Sequence, residues 1–247
     1  MRWLRRSVVE IGRGYAAVLR NDDLRRAQLA WGVAVTAEWI FFVGLSVFVY
    51  EEAGTTGVGL VGLIRMVPAA VVAPLASALG DRYRRDRVVL GLFIAMGAAA
   101  TAAALVALDE PSAAAIYALA AIHNVACTVS RSAQWALMPS LARTPEELVA
   151  SNGSTLTTQN IGTLAGPAIG GVLLAAASPW ALFALAAGCY VGAALYLVPI
   201  RMQGTGSKAA CDDALRGLLA GFRVVREDGR TRLLVLLIAA QTRCAAP

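Results

Sequence analysis

Glu38, Arg65, His123 and Arg131 are ionisable residues set inside long apolar runs. A charged side chain at mid-bilayer costs at least about 2.5–3.5 kcal/mol, so each must face a cavity, a partner or an interface. Glu38, at the centre of the first run, suits a proton-titrating or cation-binding group. Arg65, slightly outward of the centre of the second, is its natural counter-ion and would hold its pKa low until it moves. A permanent ion pair that fixes helix register has the same signature. Arg131 is placed to meet an anionic substrate or Glu38, or to snorkel to the headgroups. His123, followed by Asn124, fits a proton relay or a hydrogen-bonded packing histidine. Thr155, Thr158, Asn160 and Thr163 fall on nearby helical turns and form a candidate polar path.

Other chemistries lack their residues. One histidine and four unpaired-looking cysteines (Cys127, Cys189, Cys211, Cys244) make neither a metal cluster nor a disulfide framework. The glycines of 162–171 follow no strand and precede no Gly-Lys-Ser/Thr, so they read as no nucleotide loop. With no catalytic dyad either, an enzyme is not expected, and no cofactor. The net charge of +6 is spread in clusters between apolar runs rather than in one patch with aromatics, which excludes nucleic acid as a partner.

The elements that must position these residues are membrane spans. Apolar residues make up 58% of 247, charged residues only 15%, and mean hydropathy is +0.63. A soluble chain carries charge on about a quarter of its residues. Six segments reach the roughly 20 apolar residues needed to cross the hydrocarbon core: Ala27–Tyr50, Gly57–Gly80, Val88–Leu108, Ser112–Leu141, Val149–Ala177 and Pro179–Ile200. Backbone groups in lipid must bond internally, so these are helices. Arginines crowd the leader (1–26) and the break Asp81–Arg87, and Arg143 follows in the fourth break. The alternate breaks hold Glu51, Glu52, Asp109 and Glu110 without lysine or arginine. The positive-inside rule therefore places the N-terminus on the cytoplasmic side of an inner (plasma) membrane.

Residues 1–26 read as a basic, amphipathic leader on the inner leaflet or as a solvated, partly frayed one. Residues 27–200 form the six-helix transmembrane bundle. Residues 201–231 form a cytoplasmic linker with an amphipathic stripe of Leu215, Leu218, Leu219, Phe222 and Val225. From 232 to 247 a seventh apolar segment begins and meets Gln241, Thr242 and Arg243, as if cut short.

The six spans alternate in character. The first and fourth carry ionisable groups, the second and fifth carry proline (Pro68 and Pro74, then Pro167), and the third and sixth are nearly bare. Two units of three helices each, the second inserted upside down, would give this order. Transporters built on inverted repeats keep their substrate path near mid-membrane between the repeats. The fold expected is thus all-α, a six-helix bundle of two inverted three-helix repeats. Charged helices should face the path and bare ones the lipid.

Two further segments carry a family likeness. Gly162, Gly166, Pro167, Gly170 and Gly171 lie on the fifth span, where glycines four apart admit close helix packing. The turn Asp81-Arg82-Tyr83-Arg84-Arg85 follows the second span. That turn resembles the loop pattern Gly-x-x-x-Asp-Arg-x-Gly-Arg-Arg of the major facilitator superfamily. Asp81, Arg82 and Arg85 match, and the resemblance implies for them that loop's gating interaction. Ser77, Arg84 and Asp86 depart from it, at the two glycines and the final basic position. The segment Gly162-x-x-x-Gly166-Pro167-x-x-Gly170-Gly171 is similar to the fifth-helix pattern of drug–proton antiporters at every defined position. Arg65-Met66-Val67-Pro68 and Pro139 through Asn152 look like the branch of siderophore and multidrug exporters. What this resemblance implies is the N-terminal half of a twelve-helix fold. Its partners would be lipid, protons, a small amphipathic substrate and a C-terminal six-helix half. A non-transporting fragment or scaffold, and an importer or uniporter of the same fold, are the alternatives.

Overall fold

The computed structural model describes residues 15–16, 18–82, 84–109 and 112–200, with only the backbone of 65–82. The first part of the leader, the linker 201–231 and the segment 232–247 lie outside the described residues, as do the side chains of Arg65, Pro68, Pro74, Asp81 and Arg82.

The described residues are helical apart from short connections, without a strand. Helix α1 spans Asp22–Arg82, α2 Arg85–Asp109, α3 Ala113–Leu141, α4 Pro145–Leu174 and α5 Pro179–Leu197. Asn21 caps α1: its Oδ1 accepts from the Leu24 amide at 3.4 Å, and Asp22 and Asp23 offset the helix dipole in the first turn. Sixty-one residues in a straight helix would run about 90 Å, three times the hydrocarbon thickness. The chain instead reverses at Gly54, whose φ of 60° and ψ of −152° only glycine adopts without strain. The reversal brings Gly57 back against Val49, where an added Cβ would lie 2.6 Å from Val49 Cγ1 and 3.1 Å from the Tyr117 hydroxyl. The polar break expected over Glu51–Thr56 therefore shrinks to one non-helical residue, because a glycine with positive φ turns the chain without a loop.

Capping sets the other ends. Ser112 Oγ accepts from the Ala115 amide at the start of α3, and Thr144 Oγ1 from the Glu147 amide at the start of α4. Proline opens α4 and α5 at positions whose N–H groups have no helical acceptor. Helix α4 thus begins at Pro145, four residues before the apolar run.

Among the described residues, four helices are long and apolar enough to cross a membrane: Asp22–Ile64, Arg85–Asp109, Ala113–Leu141 and Pro179–Leu197. Helix α4 has the length, 30 residues, but Ser, Thr, Gln and Asn occupy much of its first half. Helix α1 packs against α3, α4 and α5, and α2 against α3 and α5. The core between them is large and apolar: Trp31, Ile40, Leu45, Phe93, Met96, Leu137, Phe183 and Tyr190 are almost wholly buried. Among lipid tails no hydrophobic force draws helices together, so shape fit and small residues such as Ala100 and Ala103 must supply the contact.

Candidate functional site

Glu38 and Arg131 meet across the α1–α3 seam. Arg131 Nη2 donates to Glu38 Oε1 and Oε2, each at 2.7 Å. The carboxylate side chain is 10% exposed and the guanidinium 35%, so the pair sits at the rim of the packed interior rather than within it. One nitrogen bridges both oxygens; the two-pronged fork that arginine prefers is not made. Among the described residues this is Arg131's only hydrogen-bond partner, leaving further guanidinium N–H groups to donate elsewhere.

One turn beyond Glu38, Phe41 stacks on His123 with ring centroids 4.0 Å apart and planes 15° from parallel. His123 Nε2 lies 2.9 Å from the hydroxyl of Tyr190, a fully buried residue of α5. Cys127, one turn along α3, sits 3.6 Å from His123 Nδ1 and 3.3 Å from Met96 Sδ. A small recess lined by Glu38, Phe41, Phe42, Leu45, Ala120, His123 and Asn124 joins the ion pair to the histidine. It admits water and nothing larger. Carboxylate, guanidinium, imidazole and phenol thus lie near one another along the α1–α3–α5 junction.

The same seam continues toward Asn21 and Leu141. Gln28 Nε2 donates to Thr155 Oγ1 at 2.7 Å and to the Ser151 carbonyl at 3.0 Å, and touches Met138 Sδ. Asn21 Nδ2 donates to the Leu141 carbonyl and to Glu147 Oε2. Glu147 also accepts from the Arg143 amide at 2.9 Å, and chiefly that bond holds its carboxyl below the usual carboxylate range. Between these contacts and the ion pair, Gln28 Oε1, Trp31 Nε1 and both amide atoms of Gln134 are buried without a hydrogen-bond partner among the described residues.

The fifth-span glycines are packing positions. Gly162 and Gly166 press on Val35, Thr36 and Trp39 of α1, and an added methyl at Gly166 would run into Trp39 Cβ and lie 2.8 Å from the Thr36 carbonyl. Gly170 meets Val43 at 3.3 Å, whereas a methyl at Gly171 would touch nothing. Asn160 is exposed, two residues from Gly162 and so on the other side of α4. The described residues give it no contact with Glu38 or His123.

Of the loop residues, Arg85 Nη1 donates to the Ala136 carbonyl in the last turns of α3 at 3.0 Å. The two described departures from the family pattern answer each other. Arg84 bonds Asp86 through Nε and Nη2 at 3.3 and 2.9 Å, which raises the guanidinium's pKa further.

Of the expected pathway residues, Glu38, His123 and Arg131 come together, Arg65 falls where no side chain is described, and Asn160 lies apart. Tyr190, Gln28, Gln134 and Trp31 are further buried polar side chains near them. The sixth span, which carries Tyr190, is accordingly not bare. A glutamine inside an apolar run, one turn from an arginine at 131 or from a tryptophan at 31, was the signal available for them.

No curated protein matches the chain. The family described as the Major Facilitator Superfamily matches residues 29–243, which takes in all of α2 to α5, α1 from residue 29 on, and the seam from Trp31 to Tyr190. Apolar helices of spanning length and this match make the chain a multi-pass membrane transporter protein, and it belongs to the Major Facilitator Superfamily.

Proposed function

We propose that this chain works in proton-coupled export of small amphipathic molecules, with Glu38 as the group that takes and releases the proton. The reading takes the helical segments as a six-helix bundle of two inverted three-helix repeats, the N-terminal half of the transporter. It puts the Asn21–Leu141 end on the cytoplasmic side of the plasma membrane, where the arginines are. The observation that carries it is the Glu38–Arg131 pair. A carboxylate and a guanidinium at the rim, joined through a single nitrogen, can part without breaking a fully buried bridge. Protonation of Glu38 removes the charge that holds Arg131, and the freed guanidinium is then available to an anionic group or to water. Alternating access exposes such a site to each side in turn as two bundles rock.

Direction and substrate class rest on the likeness of Gly162-x-x-x-Gly166-Pro167-x-x-Gly170-Gly171 to drug–proton antiporters. An importer or uniporter remains the second reading, because three of those glycines are explained by the fit of α4 on α1 whatever the direction.

The test is uptake of a cationic dye into acid-loaded inside-out vesicles carrying the native chain or Glu38→Gln, where export from the cell reads as accumulation in the lumen. Loss of gradient-driven accumulation, with downhill exchange retained, is the expected result. Unchanged gradient-driven accumulation removes Glu38 from the coupling step.

A further inference from the structure

Gln28, Trp31 and Gln134 are among the most deeply buried polar side chains of the bundle, at 5%, 2% and 1% exposure. Four of their atoms lack a partner among the described residues: Gln28 Oε1, Trp31 Nε1, Gln134 Nε2 and Gln134 Oε1. The orientation of Gln28 is fixed by its neighbours. The Ser151 carbonyl can only accept, and the Thr155 hydroxyl already donates to Ser151, so the Gln28 nitrogen must face both and its oxygen must face away.

Helical spacing puts these groups on one seam. Trp31 lies seven residues before Glu38 and three after Gln28, on the α1 face that Glu38 turns to Arg131. Gln134 stands three residues after Arg131 and four before Met138, which touches Gln28. The orphaned atoms therefore fall between the ion pair and the Gln28–Met138 contact. They comprise two donor and two acceptor atoms, the complement of a water molecule's two lone pairs and two hydrogens. Buried polar groups in lipid-embedded helices are satisfied by protein or by ordered water.

The geometry points to an internal water site in the α1–α3 seam, held by Trp31, Gln28 and Gln134 and set one to two helical turns from the Glu38–Arg131 pair. Its function rests on the proton-coupled reading above: the water provides the hydrogen-bonded step between Glu38 and the Asn21 end of the bundle. The water site itself stands on the orphaned atoms alone.

Radiolytic hydroxyl-radical footprinting tests it, because radicals form from bound water inside a protein. The full chain in lipid nanodiscs is the sample, and like is compared with like. Trp31 is expected to oxidise within about threefold of the half-exposed Trp180, and Met138 faster than the equally buried Met96. In Gln134→Leu, provided it folds, Trp31 oxidation is expected to fall about tenfold. Wild-type Trp31 protected tenfold or more relative to Trp180 overturns the proposal without need of any variant. Rapid Trp31 oxidation that Gln134→Leu leaves unchanged overturns the assignment of Gln134. If Trp31 oxidises as expected but Glu38→Gln transports normally, the water stands and the proton-coupled reading falls.

Discussion

Nη2 of Arg131 bridges the two carboxylate oxygens of Glu38 from a helix 93 residues further along the chain. Replacing the arginine takes from the carboxylate two short charge-assisted hydrogen bonds, and breaking a buried pair costs about 3–5 kcal/mol. Because the Arg131 side chain is about one-third exposed, the lower end of that range or a little less applies here. Arg131→Met is thus expected to lower unfolding stability by about 2–3 kcal/mol. Arg131→Met together with Glu38→Gln should cost less than the two single losses combined, since the two residues bond each other. A double-mutant cycle on thermal unfolding in detergent reads the coupling. Strict additivity would mean that the two residues do not act as a pair.

The glycine row makes a contrast within one motif. Gly166→Ala forces a methyl into Trp39 and the Thr36 carbonyl, and overpacking of this kind costs about 1–3 kcal/mol. Gly171→Ala meets open space and gains helix propensity, worth about 0.5–1 kcal/mol. Melting temperatures should move in opposite directions. Equal losses at both positions would place Gly171 against something other than the helices described here.

Tyr190→Phe takes from His123 Nε2 its 2.9 Å hydrogen bond with a buried hydroxyl. A cost of about 1–3 kcal/mol follows. Replacing both, as His123→Phe with Tyr190→Phe, should cost less than the two single losses combined. If transport tracks stability through this series, His123 is a packing residue. Transport lost at full stability marks it as part of the proton path.

Glu147 gives a pH dependence whose sign is fixed. Its folded-state pKa lies below the usual value because the Arg143 amide and Asn21 favour the charged form. A depressed carboxyl stabilises the fold fully above its unfolded pKa, and the contribution is lost as pH falls through the folded pKa. The stability gap between the native chain and Glu147→Gln should therefore be constant near neutrality and close on acidification below about pH 4. A gap that widens in acid contradicts the assignment.

That the long apolar runs form helices was legible from their length, but not where the helices end: α4 opens at Thr144-Pro145 instead of Val149, and Gly54 alone turns α1 where a break over Glu51–Thr56 was expected. The likeness to a transporter superfamily was legible too, from the loop and glycine patterns. Periodicity says which face of a helix a residue occupies but not which neighbour lies opposite, so the sequence offered both Arg65 and Arg131 to Glu38. The structure shows the bond to Arg131, while the side chain of Arg65 lies outside the described residues. Gln28 and Gln134 escaped notice because a neutral amide barely disturbs a hydropathy profile, although in lipid its unsatisfied bonds weigh nearly as much as a charge. Arg84 and Asp86 look like two independent departures from a pattern until their side chains are seen to close on each other.

Close fit between Gly162, Gly166 and Gly170 and the stretch Val35–Val43 has a mechanical outcome. With backbone lying almost on backbone there is no cushion of side chains in which α4 could slide past α1. Any tilt that swings Glu38 toward one side of the membrane has to drag the threonines at 155, 158 and 163 with it. Glu38 and those threonines would then travel as a single plank, and the small residues would serve as the rivets.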